Sequence, residues 1–379
     1  MRVSIFRQWP DEPNSIKQYS DHLVDGLGRY NKGIQVQDST PALSQPPVRL
    51  PRIAQKMFKY GYIYGYNPLR VRNQQGDINH IVEHLFAHLL QGLDPQRTVV
   101  TCHDLMQIAQ AGLFSPAALP FINSKIQRWL LSFLPKAACV VTDSENTRQD
   151  VLRLTRCLPE RVQVVYPGLG AGFQPSRGGT DRAAFKKKYG LGSSYLLLHV
   201  GTNEPYKNVE GVFQVLAILL RELGLDVGLV KVGQDFTSEQ HRIIARLGLT
   251  QRVTHLGRLD EASLIKTYQS CDLLLFPSHY EGFGWPPLEA MACGLPVVTS
   301  TAGSLPEVVG DAALLSPPDD YAGLARMVVE VLTHTELHQD LIAKGLRRVR
   351  MFTWEQSINQ LVGIYQKVQT EANRAHRRE

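Results

Sequence analysis

Short apolar runs alternate with amphipathic stretches along most of this chain, and that rhythm is its strongest constraint. In the second half the runs fall at 195–200, 227–232, 253–256, 272–276, 296–299 and 312–315, with helical pattern between them at 209–223 and 261–270. Short apolar segments separated by helices are the mark of β-α units, in which a parallel sheet is covered on both faces. The first half repeats the theme less regularly, at 3–6, 98–102, 139–142 and 162–166. A chain of 379 residues, 43% hydrophobic and 20% charged, is long enough for two such domains and is neither fibrous nor wholly disordered. The segment from Pro167 to Gly179 is the richest in glycine and proline, so the expected division is residues 1–170, a linker at 171–181, and residues 182–353. A helical pattern then runs over 352–370, and the final residues, from Arg374 on, read as a frayed basic tail.

Several function classes are excluded early. No apolar run reaches the ~18 residues of a membrane helix, and the apolar start is too short for a secretion signal. Cys102, Cys139, Cys157, Cys271 and Cys293 are odd in number and widely spaced, which fits a reducing, cytoplasmic setting. The net charge of +6 suits an anionic small ligand or an acidic membrane surface, and no dense basic stripe points to nucleic acid. Gly168-Leu169-Gly170-Ala171-Gly172-Phe173 misses the dinucleotide fingerprint at its sixth position, and Ala302-Gly303-Ser304-Leu305 is not a nucleophile elbow.

The chemistry concentrates in Glu281-Gly282-Phe283-Gly284-Trp285-Pro286-Pro287-Leu288-Glu289. A strand ends at Phe276, and a helix is expected to begin near Pro286 or Pro287 with Glu289 in its first turn. The free N–H groups of that helix start favour an anion such as a diphosphate. Glycines 282 and 284 permit close approach of backbone to ligand. Carboxylates there make sense as acceptors for hydroxyls, and each can take both hydroxyls of a vicinal diol.

This string, together with Ser304-Leu305-Pro306-Glu307, Val200-Gly201-Thr202-Asn203-Glu204-Pro205-Tyr206-Lys207-Asn208 and Thr101-Cys102-His103-Asp104-Leu105, resembles the retaining glycosyltransferases of family 4. The resemblance is dense over 77–365. It implies the GT-B fold, two facing Rossmann-like domains with parallel sheets and an interdomain cleft, with the C-terminal helix returning to the first domain. It also implies transfer of a hexose from a nucleotide-diphosphate sugar, GDP-mannose or a UDP-hexose, to a hydroxyl of a glycan or glycolipid. Lys207 would neutralise the departing diphosphate, and Glu289 would hold ribose. Glu281 with the Gly282, Phe283 and Gly284 backbone would hold the hexose. His103 would reach the sugar from the first domain, and the base would lie near Gly257 and Arg258. Many relatives carry an arginine where this chain has Thr202 and Asn203, so one phosphate cation is absent or replaced by backbone amides. In the first domain, Ser15 and Ile16 stand where many relatives have a glycine pair.

His80, His84 and His88 are spaced for one helix face. The outer two would lie ~12 Å apart along its axis, too far to share an ion. No cofactor or metal is therefore expected, and His88 is expected to line the acceptor side. Residues 52–72 interleave Arg52, Lys56, Lys59, Arg70 and Arg72 with aromatics, a pattern suited to peripheral membrane contact or to an acceptor groove. Two other readings stand beside the transferase: a sugar-nucleotide epimerase of the same architecture, and a non-catalytic nucleotide-sugar binding protein.

Overall fold

A computed structural model describes residues 1–7, 15–39, 55, 60–109, 121–176 and 182–377. It divides into two compact units, Met1–Gly168 with Trp354–Glu379, and Leu169–Thr353. Each contains one six-stranded sheet in which every recorded pairing is parallel.

Unit 1 holds β1 (Arg2–Phe6), β2 (Gln35–Asp38), β3 (Ile78–Ile81), β4 (Thr98–Cys102), β5 (Cys139–Thr142) and β6 (Val162–Val164), ordered β2-β1-β3-β4-β5-β6. The order reverses between β1 and β3, as in flavodoxin-like sheets. Two strands escape the apolar pattern. β2 is a half-exposed edge strand of mixed polarity. β3 carries Asn79 and His80, both fully buried, because each finds partners inside. The His80 ring is bonded to the Tyr365 hydroxyl at 2.6 Å and to the Thr101 hydroxyl at 2.7 Å. Burial lowers its pKa to about 3, so it stays neutral. His80 is thus a strand residue, while His84 begins a short 3₁₀ helix, His84–Gln91, so the three histidines do not share one helix face.

The final helix, Trp354–His376, belongs to unit 1. Trp354 stacks on His22, and Ile358 lies so close to Gly26 that a Cβ there would meet it at 2.8 Å. The helix continues through Arg374, where a frayed tail is expected from sequence; Ala372 is buried and Asn373 accepts a bond from Arg97 at 2.9 Å, which anchors the last turns.

Unit 2 holds β7 (Tyr195–Gly201), β8 (Val227–Gly233), β9 (Val253–His255), β10 (Leu273–Phe276), β11 (Val297–Ser300) and β12 (Leu314–Ser316), ordered β12-β11-β10-β7-β8-β9. This is the doubly wound dinucleotide-binding order, with its reversal between β7 and β10. The helices Val209–Arg221 and Tyr321–Thr333 pack on the sheet through residues such as Phe213, Leu216, Leu324 and Val328. Ligands of such sheets sit beyond the carboxyl ends of the strands at the reversal.

Of the basic and aromatic segment, Arg52, Lys56, Phe58 and Lys59 lie outside the described residues, as do residues 8–14. Tyr64 packs against His88 and Trp129, whereas Tyr66 is exposed. Among the described residues no helix is long and apolar enough to cross a membrane.

Replacing Tyr365 by phenylalanine leaves one ring nitrogen of His80 buried without a partner. The expected outcome is a loss of about 1–3 kcal/mol, measured by denaturant unfolding of the full chain. Hydrogen exchange should localise the effect to unit 1.

Candidate active site

The segments that follow β7 and β10 meet at the reversal point of unit 2. After β7 the chain passes Thr202 and Asn203, makes a 3₁₀ turn at Pro205–Lys207, and enters the helix Val209–Arg221 through Asn208. Asn208 is the one described non-glycine residue with positive φ, at 52°. Its side chain explains why that conformation is kept. Oδ1 caps the helix by accepting from Gly211 N–H at 3.2 Å. Nδ2 donates to the carbonyls of Pro277 at 3.0 Å and Pro318 at 2.9 Å. The loop after β7 is thereby tied to the loop after β10, and His279 N–H adds a bond to Tyr206 O at 2.7 Å.

The tie brings Lys207 onto Glu281. Nζ donates to Oε1 at 2.8 Å and to Oε2 at 2.9 Å, with the side chains only 13% and 9% exposed. The ammonium also lies over the rings of Tyr206 and Phe276. Glu281 itself is held from behind. Ser304 N–H donates to its carbonyl, and the Ser304 hydroxyl donates to the Phe283 carbonyl at 2.5 Å. Gly303 has φ of 59°, and a Cβ on it would meet Glu281 N at 2.7 Å, so only glycine fits there.

The helix beyond starts one residue before the prolines, Trp285–Ala292, capped by Gly284 at φ of 110°. Glu289 consequently sits in its second turn, not its first. Its Oε2 accepts from the Tyr268 hydroxyl at 2.7 Å. Burial raises its pKa to about 7, with the Tyr268 bond opposing and the Glu261 charge adding. Gly172 lies against Glu261, and Phe173 against Tyr268, so the glycine-rich segment packs beside this carboxyl. The Phe283 side chain is buried against Trp285 and Phe352, which leaves its backbone as the part able to meet a ligand. Arg258 is exposed, just after Gly257 at the end of β9.

Asn203 donates from its backbone to the Gln234 side chain at 3.2 Å and from its side chain to the Asp235 carbonyl. Thr202 Oγ1 and Asn203 Oδ1 are buried with no hydrogen-bond partner among the described residues.

In unit 1, the segments after β3 and β4 line a small cavity of about 160 Å³ bounded by Ile16, Glu83, His84, His103 and Asp104. His103 is 9% exposed, and both ring nitrogens are engaged, with Asp143 Oδ2 at 2.6 Å and the Val82 carbonyl at 2.9 Å. Burial opposes charge on this ring, but Asp143 and Glu83 outweigh it and carry its pKa to about 9, so it is an imidazolium. Glu83 pairs with His84 at 2.7 Å. Ser15 is exposed at the start of the helix Ser15–Tyr30. His88 is corrected from an acceptor contact to a core residue. It is fully buried, bonded to the Ile63 carbonyl at 3.1 Å and enclosed by Tyr64 and Trp129.

Sequence reasoning singled out Lys207, Glu281 and Glu289 but missed their supports, Asn208, Tyr268 and Ser304. It also missed Lys231, a fully buried lysine inside β8. A lysine in the middle of an apolar central strand was the available signal.

Two family models cover most of the chain: "Glycosyl transferases group 1" over residues 181–348 and "Glycosyltransferase Family 4" over residues 23–170. The chain belongs to the family 4 glycosyltransferases of GT-B fold. It is similar to O-antigen chain mannosyltransferase B of Escherichia coli, 28% identical over 71% of this chain and 70% of that protein. It is also similar to the serotype-specific mannosyltransferase WbdA of Escherichia coli, 30% identical over 69% of this chain but only 32% of that longer protein. The fold matches sucrose-phosphate synthase from Thermosynechococcus elongatus, with TM-score 0.77 at 21% identity over 97% of this chain and 99% of that one. It matches Anabaena HepE, whose structure contains UDP and glucose, with TM-score 0.74 at 19% identity over 97% of this glycosyltransferase and 99% of that chain.

Two outcomes are expected from the site's electrostatics. Breaking the buried pair from either side, with Lys207→Met or Glu281→Gln, should destabilise by about 3 kcal/mol, and the double variant should recover much of that loss; denaturant unfolding reads all three. Glu289 binds its proton more tightly folded than unfolded, so its contribution is full below its ordinary pKa of 4.5 and fades as pH rises through about 7. Glu289→Gln removes that dependence. Its melting temperature relative to the parent should therefore rise between about pH 5 and about pH 8.

Proposed function

We propose that this glycosyltransferase moves a hexose, mannose first among the candidates, from a nucleotide-diphosphate sugar to a hydroxyl of a glycan or glycolipid, with retention of configuration and without a metal. The observation that carries the reading is the bidentate Lys207–Glu281 pair at the reversal point of unit 2. A cation and a hydroxyl acceptor are there placed side by side, which is the combination a sugar phosphate requires. Mannose is favoured by the two Escherichia coli mannosyltransferases among the relatives. A nucleotide-diphosphate donor is in keeping with the UDP in the HepE structure.

In this reading Lys207 and the start of the helix Trp285–Ala292 face the diphosphate, and their positive charge grows in value as the leaving group becomes more negative. That makes a metal unnecessary. Glu281 turns its oxygens to the hexose hydroxyls, with Gly282 and Gly284 letting backbone amides come close. Glu289 accepts from the ribose. Its carboxyl, raised by burial, gains from a second donor that favours the ionised form. The acceptor hydroxyl attacks the face the phosphate leaves and passes its proton to a donor phosphate oxygen, so no protein base is assigned. His103 remains a proposed sugar contact. It would contribute as a fixed imidazolium, or by exchanging its bond to Val82 for one to a hydroxyl.

The test is a transfer assay with GDP-mannose and UDP-hexoses against glycan acceptors, with chelator present and the product anomer read by NMR. The expected result is transfer from one donor with the α configuration kept, and kcat for Lys207→Met lower by roughly 10²–10³. Undiminished turnover in that variant, or an inverted product, would overturn the reading. Isomerisation of donor without acceptor would point to an epimerase instead.

A further inference from the structure

Lys231 lies near the carboxyl end of β8, beside β7, with no exposed surface. A buried ammonium needs its charge met and its three protons bonded. Here the bonds all go to backbone carbonyls: Gly201 at 2.6 Å, Val232 at 3.2 Å and Gln234 at 3.4 Å. The cluster is tight. Gly233 has φ of 118°, and a Cβ on it would meet the Gly201 oxygen at 2.1 Å. Gln234 N–H also donates to Gly201 O, at 3.3 Å. The lysine therefore pins the loop after β7 to the loop after β8.

A trans peptide is planar, with its N–H pointing opposite to its carbonyl, and the described residues contain no cis bond. The Gly201 oxygen is turned inward onto Lys231, so the Thr202 N–H is turned away from it. That N–H has no acceptor among the described residues, and the Thr202 hydroxyl is likewise unpartnered. Both belong to the loop that leads into Lys207. A cation on the carbonyl of a peptide polarises the whole unit and strengthens its N–H as a donor.

We propose that Lys231 is a positioning residue for the donor phosphates: it supplies a second positive charge through the Gly201–Thr202 peptide, whose N–H and neighbouring hydroxyl receive a phosphate oxygen. This rests on the donor-site reading above. It accounts for Thr202 and Asn203 standing where an arginine would otherwise bring that charge directly. The surroundings agree. Lys207 repels the ammonium, Asp235 attracts it, and His199, its register partner on β7, is kept neutral, with its pKa lowered to about 3 by burial and by the Lys231 charge. Burial and Lys207 bring the Lys231 pKa down to about 8, so the ammonium is largely charged at neutral pH and loses that charge as pH rises past it.

The experiment compares binding of a nucleoside diphosphate, GDP or UDP, with binding of the matching nucleoside, in the parent chain and in Lys231→Met and Lys231→Arg. The expected result is that Lys231→Met weakens diphosphate binding roughly tenfold or more while nucleoside binding changes less than about twofold, with Lys231→Arg in between. Equal weakening of both ligands would mean a structural role only, and unchanged diphosphate binding would remove any role; either overturns the proposal. Should Lys231→Met not fold, the parent chain provides the second measurement. Its preference for diphosphate over nucleoside should fall as pH rises from about 7 to about 9.5, and a flat preference is the contrary result. If the parent binds neither GDP nor UDP, the donor reading fails and takes this inference with it, an outcome distinct from a parent that binds and a variant that is indifferent.

Discussion

The bidentate contact between Lys207 and Glu281 is the interaction on which the loops at the reversal point of unit 2 are organised. A buried ion pair gains little net stability, because the desolvation of both ions offsets their attraction. Its value here is positional. The ammonium and the carboxylate hold each other at fixed places beyond β7 and β10, and each is ready to meet a ligand group of opposite demand. Everything around them serves that placement: Asn208 in a left-handed conformation, its amide on two proline carbonyls, Ser304 behind Glu281, and Gly303 where no side chain fits.

Much of this was legible in the sequence, for reasons that can be named. Strands buried on both faces read as continuous apolar runs, and β4, β5, β7 and β8 fall where those runs fall. The proline pair marked the start of a helix to within one or two residues. What escaped were polar residues whose burial depends on partners far along the chain. Nothing local in Ile78–Ile81 shows that His80 will meet Tyr365, 285 positions away, so the strand was hidden and its histidine was grouped with His84 and His88. The mutual grip of Lys207 and Glu281, 74 positions apart, was invisible for the same reason, although each residue was singled out alone. Lys231 was lost inside an apolar run because its carbonyl partners, at the end of β7, in β8 and just beyond it, are set by tertiary placement that no periodicity records.

The two sheets also differ in how they treat charge at the carboxyl ends of their strands. Unit 2 has two cations there, Lys207 after β7 and the buried Lys231 near the end of β8. Unit 1 gathers Glu83, His84, His103 and Asp143, a mixed cluster in which an imidazolium is enclosed by carboxylates. The first arrangement suits phosphate. The second offers acceptor oxygens, Glu83 Oε2 and Asp143 Oδ1 among them, that are buried without partners among the described residues, and such oxygens suit hydroxyl-bearing molecules.

The closing helix makes unit 1 discontinuous in sequence, since Trp354–His376 is separated from the rest of that unit by the whole of unit 2. Synthesis runs from the amino end, so the second-made unit has all its strands before the first-made one has its last helix. Tyr19, His22, Gly26 and His80 must wait for Trp354, Ile358 and Tyr365 to leave the ribosome. Unit 1 therefore departs from a simple amino-first order of domain maturation: its amino-terminal residues lack these partners until Trp354–His376 has been made.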